Sequence, residues 1–189
     1  LTGLLSLIER LPLAECGQVK AVCALNRLMP HGDWYGEALG IKMSDEESGE
    51  LTLAFSMLDI SGKSLEGEFD SRCPICATKE NTIDVIRKKM EADGISFNTE
   101  EMKPPHHVPA DSEFVKTLLS AYEKYSGRKG ECIAIGGGTY VHNLKNGVAF
   151  GAALPETENH MHGPDEFAVV DELTMSAKIF AQVIVDLCC

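Results

Sequence analysis

The chain has 189 residues, 44% of them hydrophobic, and a formal net charge of −12. That composition supports a folded core. The acidity argues against nucleic acid, which needs clustered Lys and Arg, and against an anionic membrane surface. No apolar run approaches the roughly 18 residues that span a bilayer. The seven cysteines, odd in number and irregular in spacing, point to reduced thiols in a cytoplasmic setting.

Leu1 opens directly into a helical pattern with no capping residue ahead of it, so the chain reads either as a piece of a longer protein or as a trimmed domain. Leu4, Leu5, Leu7 and Ile8 predict a short amphipathic helix that ends near Pro12. Val19, Val22, Cys23, Leu25 and Leu28 predict a second, ending before Pro30. The punctuation between His31 and Gly49 predicts a loop. Leu51, Leu53, Phe55 and Met57 then alternate with polar or small residues, as a half-buried strand does. A turn over Asp59–Lys63 leads to Leu65, Gly67 and Phe69 alternating with Glu66, Glu68 and Asp70, which predicts an antiparallel hairpin. Asn81 and Thr82 can cap a helix carrying Ile83, Ile86 and Met90, and Gly94 ends it. Ile95, Phe97 and Thr99 predict a further strand. The order α–(α)–β–β–α–β is that of a split βαβ, ferredoxin-like unit whose first strand is missing.

Lys103-Pro104-Pro105 reads as a linker. Beyond it, Phe114, Val115, Leu118, Leu119 and Tyr122 mark an amphipathic helix. Cys132–Ile135 is a short apolar run leading into three glycines, and Val148–Leu154 is another; both are expected as strands. Val170, Leu173, Ala177, Phe180, Ala181, Ile184 and Cys188 line a long last helix.

Chemistry can sit at several places. His160-Met161-His162 puts two imidazoles on one face of an extended segment, where they can ligate a metal or stand as solvated loop residues. Pro164 suits a turn there, and Asp165 can cap the helix that follows. One or two histidines do not complete a zinc site. Gly136-Gly137-Gly138-Thr139 allows close backbone approach to a ligand, or is an ordinary tight turn; it is neither GxGxxG nor a P-loop. Cys73-Pro74-Ile75-Cys76 invites a thiol or zinc-knuckle reading, but no second C-x-x-C follows it, and it ends a strand instead of opening a helix. His106-His107 reads as an exposed linker pair, and Asp45-Glu46-Glu47 as a solvated loop.

Taken together, four stretches resemble the M20 metallopeptidase family, and within it the PepV, or Xaa-His dipeptidase, type. They are Leu39–Asp45 with Ser48–Thr52, Phe69-Asp70-Ser71-Arg72-Cys73-Pro74, Gly136–Tyr140, and His162-Gly163-Pro164-Asp165-Glu166. The resemblance implies an α/β (α+β) chain. Residues 1–103 would be a ferredoxin-like lid domain without its first strand, and 104–189 the C-terminal portion of an α/β zinc-peptidase catalytic domain. It implies hydrolysis of a dipeptide substrate at a two-zinc site, with Mn or Co as other candidate metals, and a homodimer. It makes His162 a metal ligand and Gly137, Gly138 and Thr139 contacts for the substrate. Where many relatives carry an Arg for the substrate carboxylate, this chain has His142. The family's H-x-D ligands, Glu-Glu pair and bridging Asp lie upstream, and the resemblance assigns none of them to this chain. The chain alone is therefore expected to be inactive. The competing expectations are a non-catalytic lid or dimerisation module, and an independent thiol or zinc protein built on Cys73 and Cys76.

Overall fold

The computed structural model describes residues 1–151, 154 and 156–189. They form two compact units. The first is Leu1–His106 with Ala134–Gly137, and the second is His107–Ile133 with Gly138–Cys189. Helices and small antiparallel sheets make up both the architecture and the class, which is mixed α/β.

The first unit opens with helices α1 (Thr2–Glu9) and α2 (Gly17–Leu28). Their apolar faces supply Leu5, Val22, Leu25 and Leu28 to the core, joined by Met29, Leu39, Ile41 and Leu51. Ser6 Oγ donates to Asn26 Oδ1 at 2.8 Å across the helix pair. Inside the segment expected to be a loop, Ser44–Asp45 (β1) and Gly49–Glu50 (β2) form a two-rung ladder.

The expected hairpin is present as β3 (Thr52–Ser61) and β4 (Ser64–Arg72), antiparallel, and its turn is only two residues long. Leu53 and Phe55 face the core as the alternation requires, but Met57 does not: it is 61% exposed. The cause is a register shift between Phe55 and Met57, which puts an extra residue into β3. One inserted residue reverses which face the following side chains occupy. Gly67 lies under the Phe55 ring, where a Cβ would come within 2.9 Å of two ring carbons.

Helix α3 (Ile83–Ala92) buries Ile86 and Met90 in this core, and Ile83 is buried at its first turn. Thr82 takes the N-cap position without a side-chain capping bond; its hydroxyl donates to the Thr78 carbonyl instead. The strand expected at Ile95–Thr99 does not form, since these residues join no ladder. Arg87 takes the place of a partner strand. Its Nη1 donates to the Phe97 carbonyl at 2.7 Å and its Nη2 to the Thr99 carbonyl at 2.6 Å. Carbonyls two residues apart lie on one side of an extended chain, which is what a two-pronged guanidinium can reach. Phe97 stacks on Phe69 with ring centroids 5.9 Å apart, so the apolar side chain is used even though the backbone ladder is absent.

The second unit is built on α4 (Glu113–Ser126) and α5 (Val170–Cys188). Ser112 caps α4 by accepting from the Val115 N–H, and Gly127, at φ +68°, ends it in the left-handed region that glycine enters without strain. Leu118, Ala121, Ile179 and Val183 form the buried centre, with Phe114, Tyr122, Met175, Val148 and Phe150 packed on it. Tyr125 Oη and Lys124 Nζ both donate to Gln182 Oε1 across the helix pair, at 3.0 and 2.8 Å.

Two further expected strands are not found. Cys132–Ile135 joins no ladder, and Ile133 is 79% exposed. A four-residue apolar run gains little as a strand without a neighbour to take its backbone bonds. The run Val148–Leu154 falls partly outside the described residues, at Ala152 and Ala153, and its described part is not a strand. The last helix is as expected in length. However, Leu173, Ala177, Ala181 and Ile184 of that stripe are exposed, Phe180 meets the Phe150 ring, and the face that packs on α4 carries Met175, Ile179 and Val183.

Candidate active site

His162 sits near the tip of an exposed loop. The loop is closed at its neck by Phe167 N–H donating to the Asn159 carbonyl at 3.2 Å. The His160 ring meets the Phe167 ring edge-on at 5.6 Å. Gly163 N–H donates to the His160 carbonyl at 2.7 Å, and Met161 N–H to Asn159 Oδ1 at 3.2 Å. Three non-glycine residues here have left-handed backbones: His160 at φ +57°, His162 at +62° and Asp165 at +57°. Such conformations cost free energy in residues with a Cβ and cluster at functional loops. Asp165 does not cap the next helix. That helix starts at Val170, five residues on, with Val169 at the N-cap and no side-chain cap; Asp171 and Glu172 supply the negative charge in its first turn.

The glycine loop leads from residue 136 into a 3₁₀ turn, Tyr140–Asn143. Gly136 packs on the Arg72 side chain, whose Cδ a Cβ would approach to 2.8 Å. Arg72, at the end of β4, also lies 3.6 Å from Asp70 through its Nε. Nothing stands within 4 Å of a Cβ built on Gly137 or Gly138, and neither glycine has a positive φ. Neither crowding nor backbone strain within this chain calls for glycine at those two positions. Thr139 N–H donates to His142 Nδ1 at 3.0 Å. The same Nδ1 lies 3.1 Å from the Thr139 carbonyl and 3.3 Å from Thr139 Oγ1, so the imidazole is turned back on the loop, where an arginine would offer a charged fork.

Zinc needs at least three protein ligands in a site. Among the described residues no three His, Cys, Asp or Glu side chains are grouped so that they could hold a metal ion. His162 alone does not fit such a centre. One H-x-D spacing does occur, at His31-Gly32-Asp33, but both side chains serve local structure. His31 Nδ1 lies 3.1 Å from Thr2 Oγ1, and its ring meets Trp34 edge-on. Asp33 accepts backbone N–H bonds from Tyr35, Glu37 and Ala38. Burial opposes the charge on Asp33, yet the bonds from Ala38, Glu37 and Tyr35 hold its carboxyl below the usual range.

Asp45 is likewise structural. Its oxygens accept from the backbone of Glu47, Ser48 and Cys76 and from Ser48 Oγ. The backbone bond from Ser48 is the main reason its carboxyl is held at about 2. Ser48 Oγ in turn accepts from Ile75 N–H at 2.8 Å. These bonds fix the Cys73–Cys76 turn, in which Cys73 packs on the core and Cys76 is exposed. His106 and His107 lie at the boundary of the two units. A separate cavity of about 260 Å³ in the first unit, between Leu4, Met29, His31, Trp34 and Phe55, contains none of the residues predicted for the site.

Residues 7–186 match the peptidase family M20/M25/M40. The chain belongs to this family. A protein of Bacillus subtilis (strain 168) named "Putative dipeptidase YtjP" is 41% identical over 159 residues, which are 82% of this chain and 33% of that protein. The "Beta-Ala-Xaa dipeptidase" of Lactobacillus delbrueckii subsp. lactis is 35% identical over 159 residues, 83% of this chain and 33% of that protein. The M20 chain thus spans about a third of the length of the curated relatives it matches. No helix among its described residues is long and apolar enough to cross a membrane.

Proposed function

We propose that this chain is part of a zinc-dependent dipeptidase of the M20 family, of the PepV or Xaa-His type. The observation that carries the reading is the family match over residues 7–186, joined to relatives whose printed names say dipeptidase. Residues 1–103 serve as most of a lid domain, and 104–189 as the C-terminal portion of the catalytic domain. The open space where a Cβ would stand on Gly137 and Gly138 lets the main chain of a dipeptide come close to their backbone. Thr139 completes that loop, and the His142 imidazole holds the substrate carboxylate more weakly than an arginine would.

His162 contributes one imidazole to a metal centre whose other ligands lie outside this chain. Two-metal hydrolysis needs several carboxylates and imidazoles around both ions, so the isolated chain does not catalyse it. The enzyme works in the cytoplasm, as a homodimer. The non-catalytic module is the weaker reading, because the relatives named above are called dipeptidases.

The test is an exchanged protein: the Bacillus relative with its 159 aligned residues replaced by the corresponding residues of this chain. It should release amino acids from dipeptides and leave longer peptides intact, while the 189-residue chain alone releases none. Hydrolysis by the isolated chain, or a folded exchanged protein with no dipeptidase activity, would sink the reading.

A further inference from the structure

Asn146 and Gly147 stand side by side for two separate structural reasons. Gly147 N–H donates to the Leu144 carbonyl at 3.1 Å and closes a four-residue turn over residues 144–147. Asn146 is the third residue of that turn and has φ +60°. A positive φ there suits glycine or asparagine, since the short asparagine side chain tolerates the left-handed backbone. The next position needs glycine for want of room. A Cβ on Gly147 would stand 3.0 Å from Leu144 Cβ and 3.4 Å from Val141 Cβ. The turn thus fixes the dipeptide Asn-Gly at the surface, where Lys145 and Asn146 are exposed. The other five asparagines, Asn26, Asn81, Asn98, Asn143 and Asn159, all precede residues that carry a Cβ. That difference matters chemically. The side-chain carbonyl of an asparagine is one five-membered ring away from the backbone nitrogen of the following residue. A Cβ on that residue hinders the ring closure, and glycine has none.

We propose that Asn146 is a self-modification site, at which the chain deamidates with water as its only co-reactant. The Gly147 nitrogen gives its proton to solvent base and attacks Asn146 Cγ. The bond from Cγ to the side-chain nitrogen breaks, and that nitrogen leaves as ammonia. The product is a succinimide ring. Water then adds to one of its two carbonyls and breaks one bond to the ring nitrogen. Opening at Cγ gives aspartate, and opening at the backbone carbonyl carbon gives isoaspartate. No electrons change hands, and the formal net charge of −12 gains one further negative charge. The Gly147–Leu144 bond has to open for the attack, and bonds in exposed turns open at low free energy. Isoaspartate puts an additional carbon into the backbone beside Gly147. The close approach of Gly147 to Leu144 and Val141 leaves no slack for it, so the turn that follows Tyr140–Asn143, the segment carrying His142, has to be remade.

The test ages the folded 189-residue chain in mildly alkaline buffer at body temperature over several days, in ordinary and in heavy-oxygen water, and maps its peptides by mass spectrometry. The peptide holding Asn146 should gain about one dalton, or about three in heavy-oxygen water, with an equal amount of ammonia released. It should do so about ten-fold or more faster than any peptide holding another asparagine. Fragmentation should place isoaspartate and aspartate at position 146. Asn146→Gly, which keeps the left-handed backbone without strain, should show no gain there. Gly147→Ala should slow the gain by about ten-fold or more, in urea as well as in buffer, so a variant whose turn is disturbed still reports the attack by the nitrogen at 147. Three results would overturn the proposal: an Asn146 that changes no faster than the other asparagines in the folded chain, a mass gain without heavy oxygen, or a Gly147→Ala variant that reacts as fast as the native sequence.

Discussion

Ile179→Ala should strongly destabilise the second unit and leave the first intact. Ile179 is fully buried and sits at the centre of a cluster whose other buried members, among the described residues, are Leu118, Ala121 and Val183. Removing its three outer carbons forfeits about 2.4 kcal/mol of transfer free energy at about 0.8 per carbon. The cavity left behind raises the cost to about 3–4 kcal/mol. A two-helix unit with so small a centre has little stability beyond that. Two probes separate the units. Trp34 is the only tryptophan and lies in the first unit, so its fluorescence reports that unit. α4 and α5, with 14 and 19 residues, hold about half of the α-helical residues, so about half of the signal at 222 nm reports the second unit. In urea, Ile179→Ala should bring the 222 nm transition of that half to lower concentration without moving the Trp34 transition. Leu39→Ala, at a fully buried position of the first unit, should do the reverse. If Ile179→Ala moved both transitions equally, or changed stability by less than about 1 kcal/mol, the reasoning would be refuted.

Three further outcomes follow from single residues. Asp45 has a folded-state carboxyl at about 2 against an ordinary value of 3.8, so its contribution is complete above about pH 4 and is lost as pH falls toward 2. Asp45→Asn should flatten that acid limb of the Trp34 stability profile, and an unchanged limb would count against the assignment. Arg87→Leu removes both bonds to the 97 and 99 carbonyls together with the guanidinium over the Phe97 ring. It should cost about 1–2 kcal/mol and speed amide exchange after residue 95. His142→Arg in the exchanged protein should lower KM for dipeptides several-fold with little change in kcat, because a charged bidentate donor holds a carboxylate more tightly than an imidazole does.

Helix positions were legible from the apolar spacing because each α-helix among the described residues carries its own pattern of three and four, and α1 to α5 lie where that spacing puts them. The hairpin was legible as far as Phe55. Past that point the bulge depends on how two strands meet, which alternation along one of them does not carry. Ile95–Thr99 has a strand's composition, but whether it becomes a strand depends on a partner, and here Arg87 occupies the carbonyls. In α5 the spacing identified an apolar stripe without saying that there are two, or which one α4 covers. At the site, the glycine run and the His162 motif were visible in the letters. The left-handed backbone at His160, His162 and Asp165 was not, since none of these residues is the glycine that such a conformation signals. Nor was the contact of Gly136 with Arg72, residues 64 positions apart in the sequence, foreseeable from local pattern.

His162 is proposed as one ligand of a metal centre completed from outside this chain, and bound zinc is the measurement that decides it. The free chain and the exchanged protein, each with and without His162→Ala, would be equilibrated with zinc, desalted and analysed for metal. The free chain should carry no stoichiometric zinc, and the exchanged protein should carry zinc that falls when His162 is removed. Stoichiometric zinc on the free chain, or zinc on the exchanged protein that is indifferent to His162→Ala, would contradict it.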